Sequence, residues 1–308
     1  MILRIFAAVA LVGGLASLGV LAVRRRFITH LDMLEAELRK PGPASTGQTD
    51  LPAEVVALAV RMGARADRAV GFVEFEQSGQ MWRTPGGPPS DFTARQTIRY
   101  DAPGFVWRAA MGHTVVVADY FVAGTGGLEV MLLGAVPIAR SVGGTAANQG
   151  EALRYLAELP WSPDAILLNR ALDWTVADAR TIKVATGAGA ERGEVTFELN
   201  SEGFIVCGSA PSRVYLEKGR TSARPWHGRF WDYRRVGDYF IPIRGEVAWT
   251  LDGGEFVYWR GRILVWNGSS AKNFGDRPVE RVVSQTEQQN PGDVLHGVAP
   301  FQLGGRTI

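Results

Sequence analysis

The chain has 308 residues, a net charge of +2, 37 glycines, 9 tryptophans and a single cysteine, Cys207. Nearly balanced charge, with no Lys/Arg block in the globular part, leaves no electrostatic footprint for nucleic acid. One cysteine excludes an intramolecular disulfide and any cysteine-based metal cluster, while many glycines among strand-like runs indicate many tight turns.

The chain opens on an apolar stretch, Ile2 to Val23, whose only charge is Arg4. It is about 22 residues long, enough to cross a hydrocarbon core of about 30 Å. Arg24, Arg25 and Arg26 follow directly with no small-residue cleavage site between, so a retained transmembrane helix is expected rather than a cleaved signal peptide. Its expected partner is the lipid bilayer through residues 2–23, and its expected place is the plasma (inner) membrane as a single span. The basic residues after the helix put the rest of the chain in the cytoplasm by the positive-inside rule. The fold expected for the rest of the chain pulls the other way, and the side stays undecided. Leu31, Leu34 and Leu38 recur at helical spacing, so residues 30–40 are expected to extend the anchor as an amphipathic neck or to form a plain linker.

Pro41 to Asp50 is a flexible linker by composition. Asp50 is expected to cap a helix over LPAEVVALAVRMG. Strand-like runs follow at Val70–Glu76, Ala94–Tyr100, Gly104–Met111, Thr114–Val122 and Gly127–Leu133, separated by glycine- and proline-rich turns. A helix is expected over Thr145–Leu159, stopped by Pro160, with a second over Asp164–Asn169. Strands resume at Asp173–Val176, Thr181–Thr186, Glu194–Leu199, Phe204–Cys207, Arg213–Glu217, Trp226–Tyr233, Tyr239–Leu251 and Phe256–Trp266. The free thiol of Cys207, in an apolar run, is expected to be buried.

The fold expected is α+β and mainly β. It is a large curled antiparallel sheet, half-barrel-like, with one or two covering helices and an N-terminal transmembrane helix. The domain plan is 1–26 anchor, 27–50 neck and linker, 51–270 globular domain and 271–308 polar, loosely packed tail. A sheet this wide curls because strand twist accumulates, and its concave face must be filled by side chains, a helix or a ligand. In FVYWRGRILVW, Phe256 and Tyr258 should face one way and Val257 and Trp259 the other. Both faces are apolar, as in a strand buried on two sides or one lining a cavity.

The main candidate constellation lies on the central helix. Glu151, Arg154, Tyr155 and Glu158 share one stripe that ends at Trp161. Two carboxylates flanking an arginine suit acid–base chemistry or the grip of a polar head group; a solvated face of helical ion pairs has the same pattern. His227 and Asp232, five apart on a strand, fall on opposite faces and cannot pair. No nucleophile elbow, dinucleotide fingerprint, phosphate loop or metal-ligand spacing occurs, so no cofactor or metal is implied.

Two segments carry a resemblance. GEALRYLAELPWSPDAILL (150–168) and ARPWHGRFWDYRRVGDYFIPIRGEVAWTLDGGEFVYWRGRI (223–263) look like a bacterial family of membrane-anchored proteins of unknown function. The matching positions are Glu151, Arg154, Tyr155, Leu156, Glu158, Trp161 and Pro163, then Pro225, Trp226, Gly228, Asp232, Tyr233, Ile241, Pro242, Gly245, Glu246, Ala248 and Trp249. Ser162 departs from the family's apolar residue, and His227 falls where the pattern is free. The resemblance implies a family but no reaction. The layout also resembles the curled half-barrels of bacterial lipoprotein carriers, which hold acyl chains in a concave sheet.

The leading expectation is a membrane-tethered binding module for an apolar or lipid-like ligand, with Glu151, Arg154, Tyr155, Glu158, Trp161, Trp249 and Tyr258 at the site. The alternatives are a hydrolase using Glu151 or Glu158 as acid or base, and an interaction domain of an envelope complex. If the stripe is held against the sheet, at least one of Glu151, Arg154 and Glu158 is buried and paired outside its own helix.

Overall fold

The computed structural model describes residues 2–40, 50–67, 71–217 and 219–270, with the side chains of 2–16, 269 and 270 outside that set. The linker over 41–49 and the tail from Ala271 therefore lie outside the described residues.

The first half of the domain is a meander of strands β1 (Gly71–Trp82), β2 (Pro89–Arg99), β3 (Phe105–Met111), β4 (Val115–Val122), β5 (Thr125–Leu132) and β6 (Val136–Val142). The second half is another: β7 (Asp173–Asp178), β8 (Thr181–Thr186), β9 (Gly193–Leu199), β10 (Ile205–Glu217), β11 (Arg220–Val236), β12 (Tyr239–Leu251) and β13 (Gly254–Ser270). Antiparallel pairing of β1 with β13 joins them into one 13-stranded sheet, in the order β6-β5-β4-β3-β2-β1-β13-β12-β11-β10-β9-β8-β7. Every other neighbouring pair is a hairpin, so each turn sets the register of the next strand.

The meanders are connected from edge to edge. Helix α3 (Thr145–Ala157), a 3-10 turn over Leu159–Trp161 and helix α4 (Pro163–Leu168) carry the chain from β6 to β7. Helix α3 touches β4 and β5 on one side and β8, β9 and β10 on the other. Strands β5 and β10 stand eight spacings apart in the sheet order, about 38 Å if the sheet were flat. A 13-residue helix is only about 20 Å long. The sheet is therefore curled into a half-barrel, and α3 spans its open side. Bulges such as those at Glu76/Gln77 and Val247/Ala248 add local twist to the curl. Helix α2 (Ala53–Arg61) and α4 pack on one another. They sit at the end of the sheet where Phe240 donates its backbone N–H to Met62 and Tyr239 donates its hydroxyl to Asp164.

The concave face holds the main core, with Phe75, Phe92, Trp107, Trp161, Phe230, Trp249, Trp259 and Trp266 among its buried members. On the convex side, Phe27, Leu31, Leu34 and Leu38 of helix α1 (Ile2–Leu38) pack on Val106, Val116, Ala118, Tyr120, Val122 and Met131. Arg108 of β3 meets Asp32 at 2.8 Å and Glu35 at 2.7 Å, and His30 lies 3.3 Å from Glu129. The neck is thus the docked second half of α1.

The expected membrane span is not shown, and several other expectations are corrected. Among the described residues no helix is long and apolar enough to cross a membrane. The helical backbone does run from Ile2. Of the expected span, only residues 17–23 have described side chains. The cap of α2 is Pro52, with no side-chain hydrogen bond, and not Asp50. Strand β6 was not expected, because VPIARSV is broken by a proline; it is an edge strand, where a missing N–H is tolerated. Cys207 is half-buried, because a register shift after Ile205 breaks the alternation, and Ile205 and Ala210 hold the core positions.

The alternation expected in FVYWRGRILVW also fails. Ala248 pairs with Val257 and Val247 with Trp259, so Tyr258 is the bulged residue. Its ring meets Trp249 and Phe256, while Trp259 meets Phe92 and Trp161. The bulge turns all these aromatics to the concave side.

Candidate functional site

The stripe on α3 lies against the sheet. Asp119 occupies a concave position of β4 between Val117 and Phe121, both core residues. Arg154 donates Nη1 to Asp119 and Nε to Glu158 at 2.9 Å. Its guanidinium sits 4.8 Å from the Phe105 ring centroid and 5.1 Å from that of Trp107. Glu158 also accepts from the Gln96 amide of β2. Glu151 faces Arg213 of β10 at 3.8 Å. The Arg213 guanidinium in turn lies over Trp226 at 4.7 Å and Trp249 at 5.8 Å. All five charged side chains are 11–15% exposed. The stripe is therefore buried and paired beyond its own helix, as expected if it is held against the sheet.

Two arginines face three carboxyl groups, so full ionisation would leave one buried negative charge in excess. Burial, reinforced by the neighbouring Asp119 charge, holds the Glu151 carboxyl well above the usual carboxylate range against the pull of Arg213 and Arg154. Protonation of Glu151 would remove that excess charge. Burial also raises Glu158, opposed by Arg154 and Gln96. Arg154 is disfavoured by burial as a cation, but Glu158, Asp119 and Glu151 outweigh that and raise it.

The cluster gathers five of the seven expected site residues. Glu151, Arg154 and Glu158 form its ionic part. Trp249 and Tyr258 form its aromatic flank, where Trp226 Nε1 donates to the Tyr258 hydroxyl at 3.0 Å and the Tyr215 ring lies tilted against Trp249 at 5.0 Å. The other two are taken up by the core. Tyr155 accepts from Asn169 at 2.8 Å and donates to the Arg99 carbonyl at 3.3 Å. Trp161 donates to the Pro242 carbonyl at 2.8 Å, and its ring packs on Phe75, Phe230 and Trp259. A Cβ at Gly245 would come within 3.1 Å of that indole, so a larger residue there would have to push the ring aside. His227 pairs with Glu255 at 3.0 Å, on the side of the sheet away from the cluster.

The sequence reading missed Gln96, Asp119 and Arg213. Asp119 had a signal: a lone carboxylate at a core-facing position of VVVADYFV. Arg213 had none, since a register shift between Ala210 and Arg213 sets the face it occupies.

A cavity of about 380 Å³ lies elsewhere, at the end of the sheet that bears the β2–β3 and β4–β5 turns. Its walls include Leu38 of α1, Pro103, Phe121, Val122, Ala152 of α3 and Ala171, with Arg99 and Asn148 among its polar groups. None of the seven expected site residues lines it. Among the described residues no cluster of His, Cys, Asp or Glu has metal-binding geometry.

The chain resembles several solved structures. A LolA superfamily protein from Nitrosomonas europaea is 11% identical with a TM-score of 0.39, covering 72% of this chain and 95% of its own. A DUF1329 family protein from Desulfovibrio piger is 12% identical with a TM-score of 0.42, covering 71% and 92%. Comparison with curated protein sequences gives no match. The profile of a family of unknown function, DUF6544, matches residues 45–261. That range contains α2, α3, α4, all of the sheet but the end of β13, and every residue of the ionic cluster, and the chain belongs to this family.

Proposed function

We propose that this protein is a membrane-tethered binding module for an apolar, lipid-like molecule, held at the plasma (inner) membrane by the helix over residues 2–23. The observation that carries the reading is the cavity of about 380 Å³ with mainly apolar walls. It falls within the range of about 300–1,000 Å³ usual for small-molecule sites. An apolar chain would lie against Leu38, Phe121, Val122 and Ala152, with a polar end toward Arg99 and Asn148. Arg99 is braced for such a role by Asp101, which accepts from it at 2.5 and 2.9 Å. The buried cluster on α3 then serves the site indirectly, by fixing the helix that supplies one wall. Residues 17–23 are consistent with the tether, since every one of them is exposed and Leu18, Val20, Leu21 and Val23 are large and apolar.

The test is binding of a fluorescent fatty acid to the detergent-solubilised full chain, with native mass spectrometry for co-purifying lipid. Ala152→Phe and the gentler, exposed Ala171→Trp both fill the cavity. Each should weaken binding about tenfold or more, roughly 1.4 kcal/mol. Unchanged affinity in a folded Ala171→Trp protein, with no lipid co-purifying from the wild type, would reject the reading. A hydrolase is the second reading, favoured by the Glu151 carboxyl, which burial and Asp119 hold well above the usual carboxylate range. It requires ester or amide cleavage that Glu151→Gln abolishes while binding persists.

A further inference from the structure

The least explained surface is the β5–β6 hairpin. Strand β6 is exposed at every position, and it is an edge of the sheet. Exposed edges are usually blunted by charge, particularly lysine. Here Leu132, Leu133, Val136 and Ile138 are open to solvent, the last two at 51% and 54%. Single exposed apolar residues need no explanation, but a contiguous group does.

Helix α1 leaves the sheet beside this hairpin. The Arg24 side chain packs on the turn, so closely that a Cβ at Gly134 would lie 3.1 Å from Arg24 Cγ. Phe27 is the first described residue of α1 buried against the sheet. N-terminal to Arg24 come the exposed Val23, Leu21, Val20 and Leu18. Arg24, Arg25 and Arg26 are all exposed at the junction. An apolar helix, an apolar hairpin and three cations therefore meet at one place. That is the chemistry of a bilayer interface, with apolar side chains below the head groups and arginines among the phosphates.

We infer that the β5–β6 hairpin seats on the bilayer, its Leu132, Leu133, Val136 and Ile138 entering the interface while Arg24–Arg26 bind lipid phosphates. This rests on the membrane-tether reading and adds to it a second contact and an orientation. The domain stands on its β5–β6 end. Leu38, at the cavity wall, lies fourteen residues beyond Arg24 on the same helix, about 21 Å farther from the membrane. The cavity is presented away from the bilayer.

The experiment uses the full chain in a Cys207→Ser background, reconstituted into vesicles of phosphatidylcholine and anionic phosphatidylglycerol. Single cysteines at Leu18, Leu133, Ile138 and Glu202 carry an environment-sensitive fluorophore, and lipids brominated near the head group act as quencher. Glu202 is exposed in the β9–β10 turn, at the opposite end of the sheet. Positions 18, 133 and 138 should be quenched several-fold more than position 202, and omitting phosphatidylglycerol should reduce quenching at 133 and 138. Quenching at 18 but not at 133 and 138 overturns the hairpin contact and leaves the tether standing. Quenching at none of the three overturns the tether, and the contact with it. Disulfide-linked pairs at Ile138→Cys without lipid quenching mean that a second copy covers the edge, which also overturns the inference.

Discussion

Replacing Arg154 by methionine keeps most of the apolar volume against Phe105 and Trp107 and removes only the charge. Asp119 and Glu158 then lose the guanidinium that both share. Each carboxylate is 12–13% exposed, so water replaces the lost partner poorly. Breaking a buried ion pair in this way costs about 3–5 kcal/mol. For a domain of this size that lowers Tm by on the order of 10 °C. The assay is urea denaturation of the detergent-solubilised chain, comparing midpoints at equal slope. Arg229→Ala is the control: its side chain is 41% exposed, and solvent screening keeps its pairs with Glu246 and Glu255 to about 1 kcal/mol at most. Adding Asp119→Asn to Arg154→Met should restore roughly 1–2 kcal/mol, because one of the two stranded charges is gone. A loss under about 1 kcal/mol for Arg154→Met, no larger than the control, would mean that the cluster is solvated and the argument from burial is wrong.

Three other outcomes follow from the same geometry. Glu151 has its folded pKa raised by burial and Asp119; its stabilising contribution is complete below the unfolded carboxylate range of about 4.3 and is lost as pH rises through the folded value. Glu151→Gln, which mimics the protonated acid, should flatten the fall in Tm with rising pH, and parallel profiles for variant and wild type would refute the raised Glu151 carboxyl. The Cys207 thiol is pushed up to about 11 by burial, reinforced by Glu198, so at pH 8 maleimide should label it on the order of 100-fold more slowly than a free thiol; labelling at the rate of a model thiol would contradict this. Leu31, 2% exposed under α1, should cost about 2–5 kcal/mol when cut to alanine, and a thermal melt unchanged from wild type would mean that the second half of α1 is not docked in solution.

Period-two runs punctuated by glycine turns identified the mainly-β domain, and the central helix stopped by Pro160 was legible as well. Strands Thr181–Thr186 and Tyr239–Leu251 have the observed bounds, because turn residues close both ends of each. The stripe Glu151, Arg154 and Glu158 was readable from helical spacing, and so was the apolar face of the neck at Leu31, Leu34 and Leu38. All of these are local properties, in which residues a few positions apart share a face through backbone geometry.

Partners depend on something else. Asp119 and Arg154 are 35 residues apart and Gln96 and Glu158 are 62 apart, and they meet only because α3 is thrown across a sheet that has already curled. Bulges are equally non-local: pairing with β12 leaves Tyr258 without an opposite residue and turns it and Trp259 to the same face. The cavity is bounded by α1, two turns and α3, none of which signals it alone. Local periodicity therefore determined the elements and the face each would bury. The curl of the sheet, set by the pairing of β1 with β13 and by the bulges, decided which charges were desolvated together and where a space was left.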